Sequence, residues 1–402
     1  MKLTANPPRI TGIGTAVPKT SYTQQEMLDE FGITDPRVRS IFLNSAIERR
    51  GLTLPPLLPD GSRAMETQGE LLQKHRVNGL AMGREAIEAC LKDAGASLED
   101  IRYLCCTTTT GLLTPGFSAL LIKELGLDVH TSRLDVVGMG CNAGLNALTA
   151  VASWANSHPG ELAVLVCIEA CSAAYVFDGT MRSSVVNSLF GDGSGAVAVM
   201  APAVTEAVSR PLAAVAPAAS VVPVEDAAPV EDAEPAEDAA PAGGSAPVEQ
   251  AVPAGSDPAL LRFSSCIIPE AVGAMRYDWD DTHGKFSFYL DPEVPYVVGA
   301  HAEIALDRLL EGTGLGRSDI AHWVIHSGGK KVIDAVRANL GLSRHDVRHT
   351  TGVLRDHGNV SSGSFLFSYE RLRAEGVTAP GEFGVFMTMG PGSTIEMALV
   401  SW

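Results

Sequence analysis

Short apolar runs alternate along this chain with segments in which apolar residues recur every three or four positions. A run such as Leu162–Val166 is typical of a buried strand, and the amphipathic segments between such runs are typical of helices that pack on a sheet. Cys105 and Cys106 lie in another strand-like run, which predicts that both are core residues. The alternation predicts a layered α/β architecture.

The pattern of elements occurs twice. A segment that ends at Asp100 and leads into an apolar run is matched by one that ends at Asp319, 219 residues later, and also leads into an apolar run. The same offset relates Gly144 to Gly363, each in a turn of small residues. The repetition predicts two fused α/β halves with the active site at their junction, where clefts usually form.

Composition indicates a soluble enzyme. The 402 residues are 46% hydrophobic, enough for a large core, and no run of about 18 apolar residues could span a membrane. The first eight residues have no apolar signal core, so we expect a cytoplasmic protein. The seven cysteines have neither metal-ligand spacing nor an even count, so we expect reduced thiols and no bound metal. A net charge of −17 argues against nucleic acid and anionic membranes as partners.

Part of this charge lies in one segment of low complexity. Residues 201–258 contain ten acidic residues and one basic residue, in units rich in alanine and proline. A segment with almost no aromatic residues cannot bury enough surface to offset its chain entropy, so we interpret it as a disordered acidic insertion. The predicted organisation is therefore an N-terminal half, 1–200, the insertion, 201–258, and a C-terminal half, 259–402.

Cys141 is the candidate nucleophile. It stands between glycines in Gly138–Gly144, immediately before an apolar helical pattern. A helix N-terminus lowers the pKa of a thiol and supplies N–H groups that can hold an oxyanion, so this position suits a catalytic thiolate. A free cysteine taken alone is more commonly a small core residue.

Two other turns of small residues carry polar side chains suited to the same chemistry. His326 follows an apolar run and precedes Gly328 and Gly329, and Asn359 precedes Ser361 in a turn before another apolar run. Small residues allow close approach of a substrate. Each residue alone is an ordinary core or turn residue, but the three turns together indicate a pocket.

The three motifs resemble those of the thiolase-fold condensing enzymes, and among them the type III polyketide synthases of the chalcone and stilbene synthase type. That family carries a Cys-His-Asn triad in Gly-Cys-x-Ala-Gly, His-Pro-Gly-Gly and Gly-Asn-x-Ser-Ser contexts, which match Cys141, His326 and Asn359. Ser327 departs from the usual proline, and Asn142 from the usual phenylalanine. The resemblance implies a duplicated thiolase-like fold with αβαβα layers, catalysis on coenzyme A thioesters, and no cofactor.

The resemblance also implies roles for residues around the triad. The pocket would be gated by Phe190 and Phe288, and its cavity would be shaped by Glu169, Cys171 and Ala174. Thr114 would reach into the pocket of a partner subunit, which implies a homodimer. The positions that would contact the substrate near the coenzyme A tunnel are Gly328, Gly329, Lys331 and Ser361.

Four further stretches resemble the actinobacterial members of the family that act in the biosynthesis of vancomycin-type glycopeptide antibiotics. They are 45–50, 275–280, 295–303 and 348–355. This resemblance implies that malonyl-CoA is both starter and extender, and that four units are condensed and cyclised to a dihydroxyphenylacetyl thioester. It also implies dehydratase or enoyl-CoA hydratase-like helper proteins.

Other functions remain open at this stage. A related synthase that makes a resorcinol, a pyrone or a naphthol differs only in its product. A papain-like protease also uses Cys, His and Asn, but its Cys-Gly-Ser-Cys context is absent from this chain. A scaffold that binds acyl thioesters without catalysis is the remaining alternative, and an intact triad argues against it.

Overall fold

The computed structural model describes residues 6–174, 180–203 and 257–402. The predicted acidic insertion therefore lies almost entirely outside the described residues. The strands are β1 Arg9–Ala16, β2 Ser21–Thr23, β3 Arg49–Gly51, β4 Ile101–Thr108, β5 Ser132–Val137, β6 Leu162–Glu169, β7 Gly193–Met200, β8 Ala259–Ile267, β9 Met275–Asp280, β10 Lys285–Leu290, β11 Ile320–Ile325, β12 Phe383–Gly390 and β13 Thr394–Ser401. The helices are α1 Gln24–Glu30, α2 Pro36–Leu43, α3 Gln68–Ala94, α4 Phe117–Leu125, α5 Ala143–Ser157, α6 Met181–Asn187, α7 Val294–Leu310, α8 Lys330–Asn339, α9 Arg348–His357 and α10 Ser364–Glu375.

Nine strands form one sheet whose order is β11-β12-β13-β8-β1-β7-β6-β4-β5. The order is nearly symmetric about the β8/β1 junction. On one side, β8 pairs antiparallel with β13, β13 antiparallel with β12, and β12 parallel with β11. On the other side, β1, β7, β6 and β4 repeat the same sequence of pairings. The topology thus contains the duplication that the sequence predicts.

Alternate residues of the strands face different layers of helices. In β6, Val164 and Val166 pack in one apolar cluster with α3 and α4, whereas Leu165 packs in another with α5 and α10. In β12, Val385 packs with α7 and α8, whereas Phe386 faces α5 and α10. The layers are therefore α3/α4, the strands of the first half, α5/α10, the strands of the second half, and α7/α8. This confirms the predicted α/β class and αβαβα layering.

The two central helices approach each other closely at their first turns. Gly144 lies in the first turn of α5, and a Cβ atom there would lie 2.4 Å from the carbonyl oxygen of Ser362 and 2.7 Å from the ring of Phe365. A glycine is required at this contact. The contact brings the turn that carries Cys141 against the turn that opens α10.

No helix in the described ranges is both long enough and apolar enough to cross a lipid bilayer.

Candidate active site

The three turns singled out in the sequence lie together at the junction of the two halves. Cys141 lies in the 3-10 turn Gly140–Asn142 that opens α5. A matching turn, Ser361–Gly363, begins two residues after Asn359 and opens α10. His326 follows β11, and its backbone N–H donates to the carbonyl of Met387. All three side chains of the candidate triad are buried.

Hydrogen bonds connect these turns to one another. The hydroxyl of Ser327 donates to the carbonyl of Gly358 at 3.2 Å, which fixes the histidine turn against the asparagine turn. The side-chain oxygen of Asn359 accepts the backbone N–H of Ser361 at 2.8 Å. This bond occupies the amide oxygen and leaves the amide N–H groups to face Cys141, whose thiol they contact. The Asn359 side chain is thus oriented as a donor.

Cys141 is held as a neutral thiol in the resting site. Burial raises the pKa of Cys141 to about 12, although hydrogen bonds from Ser361 and Asn359 lower it. The thiol sulfur lies 3.6 Å from the hydroxyl of Ser361. The expectation that the helix terminus would depress this pKa is wrong for the resting site, because the cost of placing a charge in a buried cluster is larger.

His326 is neutral as well. Burial lowers the pKa of the imidazole to about 3, and its Nδ1 atom has no hydrogen-bond partner among the described residues. Gly328 packs on the ring, since a Cβ there would lie 3.1 Å from the ring carbon Cδ2. The resting site therefore holds a neutral thiol and a neutral imidazole rather than a preformed ion pair.

Glu169 lies at the end of β6 and is fully buried beside these turns. One carboxylate oxygen accepts the backbone N–H and the hydroxyl of Thr109 at 3.0 and 2.9 Å. The other accepts the backbone N–H of Ser362 at 3.3 Å and the Ser362 hydroxyl. Burial raises the pKa of Glu169 to about 6, against the effect of these bonds.

The network continues from Glu169 to the thiol. The hydroxyl of Thr109 lies 2.8 Å from that of Ser361, which in turn contacts the sulfur of Cys141. Ser361 has a backbone φ of +46°, a conformation that residues other than glycine rarely adopt. A continuous chain of hydrogen bonds thus joins a buried carboxyl group to the candidate nucleophile, and it holds Ser361 in a strained conformation.

Apolar side chains form one wall of the site. The rings of Phe190 and Phe288 meet edge to face with centroids 5.8 Å apart, and Tyr277 lies 5.0 Å from Phe288. Phe190 and Phe288 belong to the same buried cluster as Cys141, as do Cys171 and Ala174. The structure therefore places the predicted gate residues, and the cavity residues Cys171 and Ala174, in one buried cluster with Cys141.

Phe190 is fixed by its backbone. Its carbonyl accepts a hydrogen bond from the buried guanidinium of Arg50 at 2.6 Å, and Arg50 also donates to Gln24 at 2.9 Å. Burial lowers the pKa of Arg50 to about 10, and the attraction of Asp192 raises it. Burial raises the pKa of Asp192 to about 6, although Ser172 hydrogen-bonds to this carboxylate.

Asn142, where the family has phenylalanine, ties the nucleophile turn to the second half. Its amide donates to the hydroxyl of Thr394 at 2.7 Å, in the hairpin between β12 and β13. Gly390 packs beneath the same turn, because a Cβ there would lie 2.4 Å from the amide oxygen of Asn142. Asn142 thus supplies a hydrogen bond across the junction of the two halves.

The remaining predicted residues lie at the surface. Thr114 is exposed in the loop before α4, and Lys331 is exposed in the first turn of α8. Gly329 begins that helix with a φ of +126°, and the neighbouring Lys330 pairs with Asp334 at 2.7 Å. Within this chain the structure does not bring Thr114 or Lys331 into the buried cluster around Cys141.

Sequence reasoning missed several residues that support the site. Thr109 and Ser362 bind Glu169, Arg50 holds Phe190, and Asp192 accompanies Arg50. The run of four threonines after the apolar residues of β4 was the available signal for Thr109, since it places hydroxyl groups at the end of a buried strand. No pattern in the sequence marks Arg50 as a buried cation.

Comparisons with known proteins identify the same family over nearly the whole chain. Residues 3–203 match the N-terminal domain of the chalcone and stilbene synthases, and residues 262–401 match the C-terminal domain. A 3,5-dihydroxyphenylacetyl-CoA synthase of Streptomyces toyocaensis is 63% identical over 98% of this chain and 90% of its own length. A synthase of the same name from Amycolatopsis balhimycina is 59% identical over 98% of this chain and 93% of its own length.

The fold is similar to that of solved structures of more distant sequence. The crystal structure of PKS-I from the brown alga Ectocarpus siliculosus superposes with a TM-score of 0.81 over 99% of both chains, at 22% identity. At that identity the likeness concerns the fold alone.

Proposed function

The chain belongs to the chalcone and stilbene synthase family, and we propose from this that it is a type III polyketide synthase that condenses four molecules of malonyl-CoA into 3,5-dihydroxyphenylacetyl-CoA. The observation that carries the proposal is the 63% identity, over 98% of the chain, to a synthase of that name. The buried thiol, imidazole and amide at the junction of the halves supply groups for such a condensation.

The first step loads Cys141. The Sγ proton passes to the neutral imidazole of His326, and the thiolate attacks the thioester carbonyl of malonyl-CoA. The bond to coenzyme A breaks, and the imidazolium returns the proton to the departing sulfur. The covalent intermediate divides a difficult condensation into loading and extension. Loading needs a base, because burial raises the pKa of the resting thiol to about 12.

The second step extends the chain. Decarboxylation of the next malonyl-CoA leaves its electron pair as an enolate, and the negative charge develops on the thioester oxygen. N–H groups of His326 and Asn359 would donate to that oxygen, which stabilises the transition state more than the ground state. The enolate carbon then attacks the acyl group on Cys141, and the carbon–sulfur bond to the enzyme breaks. The orientation of Asn359 as a donor supports this role.

The malonyl group loaded first on Cys141 loses CO₂, and protonation of the resulting enolate gives an acetyl starter whose methyl becomes the end of the chain. After each of the first two condensations the chain passes from coenzyme A back to Cys141, which releases free coenzyme A. Three condensations give a tetraketide that is still bound as a thioester of coenzyme A. Attack of its terminal methyl carbon on the ketone nearest the acyl end closes a six-membered ring, and loss of water gives the dihydroxyphenylacetyl skeleton. The gate residues Phe190 and Phe288 and the cavity residues Glu169, Cys171 and Ala174 would confine the chain during closure. We propose that coenzyme A thioesters are the substrates and that no resident metal or redox cofactor takes part.

The assembly and setting of the enzyme are also proposals. We propose a cytoplasmic homodimer in which Thr114 reaches the pocket of the partner subunit. Support comes from the exposed loop that carries Thr114, where Leu112 is 70% exposed beside the open edge strand β5. We further propose a role in glycopeptide-antibiotic biosynthesis, together with dehydratase-like helper proteins. Lys331, Gly328, Gly329 and Ser361 would contact the bound thioester.

The experiment is to incubate the purified chain with malonyl-CoA alone and to identify the products by mass spectrometry. We expect 3,5-dihydroxyphenylacetyl-CoA or its free acid, and none from Cys141→Ala. A pyrone, a resorcinol or a naphthol as the main product would retain the family chemistry and overturn the assigned product. Consumption of malonyl-CoA by Cys141→Ala at the wild-type rate would overturn the role of the thiol.

A further inference from the structure

The hairpin of β9 and β10 exposes two aromatic side chains at its outer end. Its register pairs Trp279 with Phe286, and these rings meet edge to face with centroids 5.2 Å apart. Trp279 is 51% exposed and Phe286 is 50% exposed. A contiguous apolar patch of this kind on a protein surface commonly marks a site of interaction.

The same face of the hairpin leads into the active site. Side chains two residues apart along a strand lie on one face, so the next pair inward is Tyr277 and Phe288. Phe288 is buried and contacts Phe190, in the cluster that contains Cys141. Successive pairs on one face are about 7 Å apart. The exposed pair therefore lies one step outside the aromatic gate, on the same face of the hairpin.

The charged residues of the hairpin lie mostly on its other face and are paired with one another. Arg276 contacts Asp278 at 2.9 Å, and His283 contacts Asp280 at 2.9 Å. The aromatic face is thus free of charged side chains from its own strands. Neutral rings of this kind favour a planar ligand that can stack on them, and nucleobases bind proteins in this way.

We propose that Trp279 and Phe286 form a stacking platform for the adenine ring of malonyl-CoA. The inference rests on the proposed function, because it places the thioester at Cys141. Adenine lies at the end of coenzyme A farthest from the thioester. With the acyl group at the thiol, the pantetheine arm passes the gate residue Phe288, and the nucleotide emerges over the outer end of the hairpin.

The test compares coenzyme A with pantetheine, which has the same pantetheine arm but lacks the adenine nucleotide. Dissociation constants for coenzyme A and for pantetheine are measured by calorimetry with the full-length chain, its Trp279→Ala and Phe286→Ala variants, and Val377→Ala as a control at an exposed apolar residue elsewhere. Loss of base stacking weakens binding by about fivefold or more. We expect that weakening for coenzyme A in both hairpin variants, with pantetheine binding unchanged and the control like the wild type.

Fluorescence gives a second readout that does not depend on turnover. The chain has four tryptophans. Trp323 and Trp402 are buried, and Trp154 is partly buried in a stack with Tyr103 and His158. Quenching by coenzyme A should therefore arise mainly at Trp279 and should be lost in Trp279→Phe. That conservative variant should keep most of the affinity for coenzyme A, because phenylalanine still stacks.

The outcomes separate this inference from the proposed function. Weakened binding of coenzyme A in the hairpin variants supports the platform even if malonyl-CoA gives no product. Unchanged affinity in both variants, or equal weakening for pantetheine, overturns it. A change of sedimentation coefficient without a change in affinity would also overturn it, since the pair would then be a contact between copies of the chain.

Discussion

Replacing Glu169 by glutamine tests the account of the buried network. In the wild type, four donors from Thr109 and Ser362 converge on the carboxylate. Glutamine has the same shape as glutamate, but its NH₂ group would face the backbone N–H and hydroxyl donors of either Thr109 or Ser362. The hydroxyl there can rotate to accept a hydrogen bond, whereas the backbone N–H cannot. One buried N–H is therefore left unsatisfied, at a cost of about 1–3 kcal/mol.

The pH dependence follows from the raised pKa of Glu169. Its pKa rises from 4.5 to about 6 on folding, so the folded state holds the proton more tightly. This contribution to stability is present at low pH and is lost as the pH rises through 6. Linkage between these two pKa values makes the wild type about 1 kcal/mol more stable at pH 5 than at pH 8 through this group alone. Glutamine does not titrate, so the variant lacks this gain in stability at low pH.

The assay is urea unfolding of both proteins at pH 5 and pH 8. Comparing the proteins at each pH cancels the titration of all other groups. We expect Glu169→Gln to be less stable relative to the wild type at pH 5 than at pH 8, by about 1 kcal/mol. Glu311→Gln, at an exposed position, is the control and should show no such difference. A pH-independent difference for Glu169→Gln would refute the claim that burial raises this pKa.

Three further predictions follow from single features of the structure. Ser361→Ala removes the hydroxyl between Thr109 and the sulfur of Cys141, and steady-state kinetics should show kcat reduced by about fivefold to tenfold with little change in KM; an unchanged kcat would contradict a role for the network. Arg50→Met leaves the Phe190 carbonyl and the Gln24 amide oxygen without their buried donor and should lower the free energy of unfolding by about 2–5 kcal/mol, and a loss below about 1 kcal/mol in urea unfolding would refute this. Replacement of 204–256 by six Gly/Ser residues should preserve kcat/KM, because β7 and β8 flank β1 and are only about 10 Å apart; loss of activity in a folded variant would show that the insertion contributes.

Much of the fold could be predicted because duplication leaves a trace in the sequence. The 219-residue offset that relates Gly144 to Gly363 reappears as two 3-10 turns that open α5 and α10. Close packing explains why small residues occur there, since a side chain at Gly144 would collide with the backbone of Ser362. The motifs around Cys141 could be found for the same reason.

The electrostatics of the site could not be predicted in this way. The pKa of Cys141 depends on burial, which neighbouring glycines do not reveal, and the structure reverses the expected direction. Glu169 is bound by Thr109, 60 residues earlier, and by Ser362, 193 residues later. Such partners are set by the packing of layers from both halves. Arg50 is buried for the same reason, and its environment has no local signature.

The central claim is that Cys141 carries the growing chain, and mass spectrometry of the intact protein after brief exposure to malonyl-CoA tests it most directly. We predict an acyl adduct on the wild type that maps to the peptide containing Cys141 after proteolysis. The adduct should be absent from Cys141→Ala. An adduct on another cysteine, or formation of product by Cys141→Ala, would contradict the account.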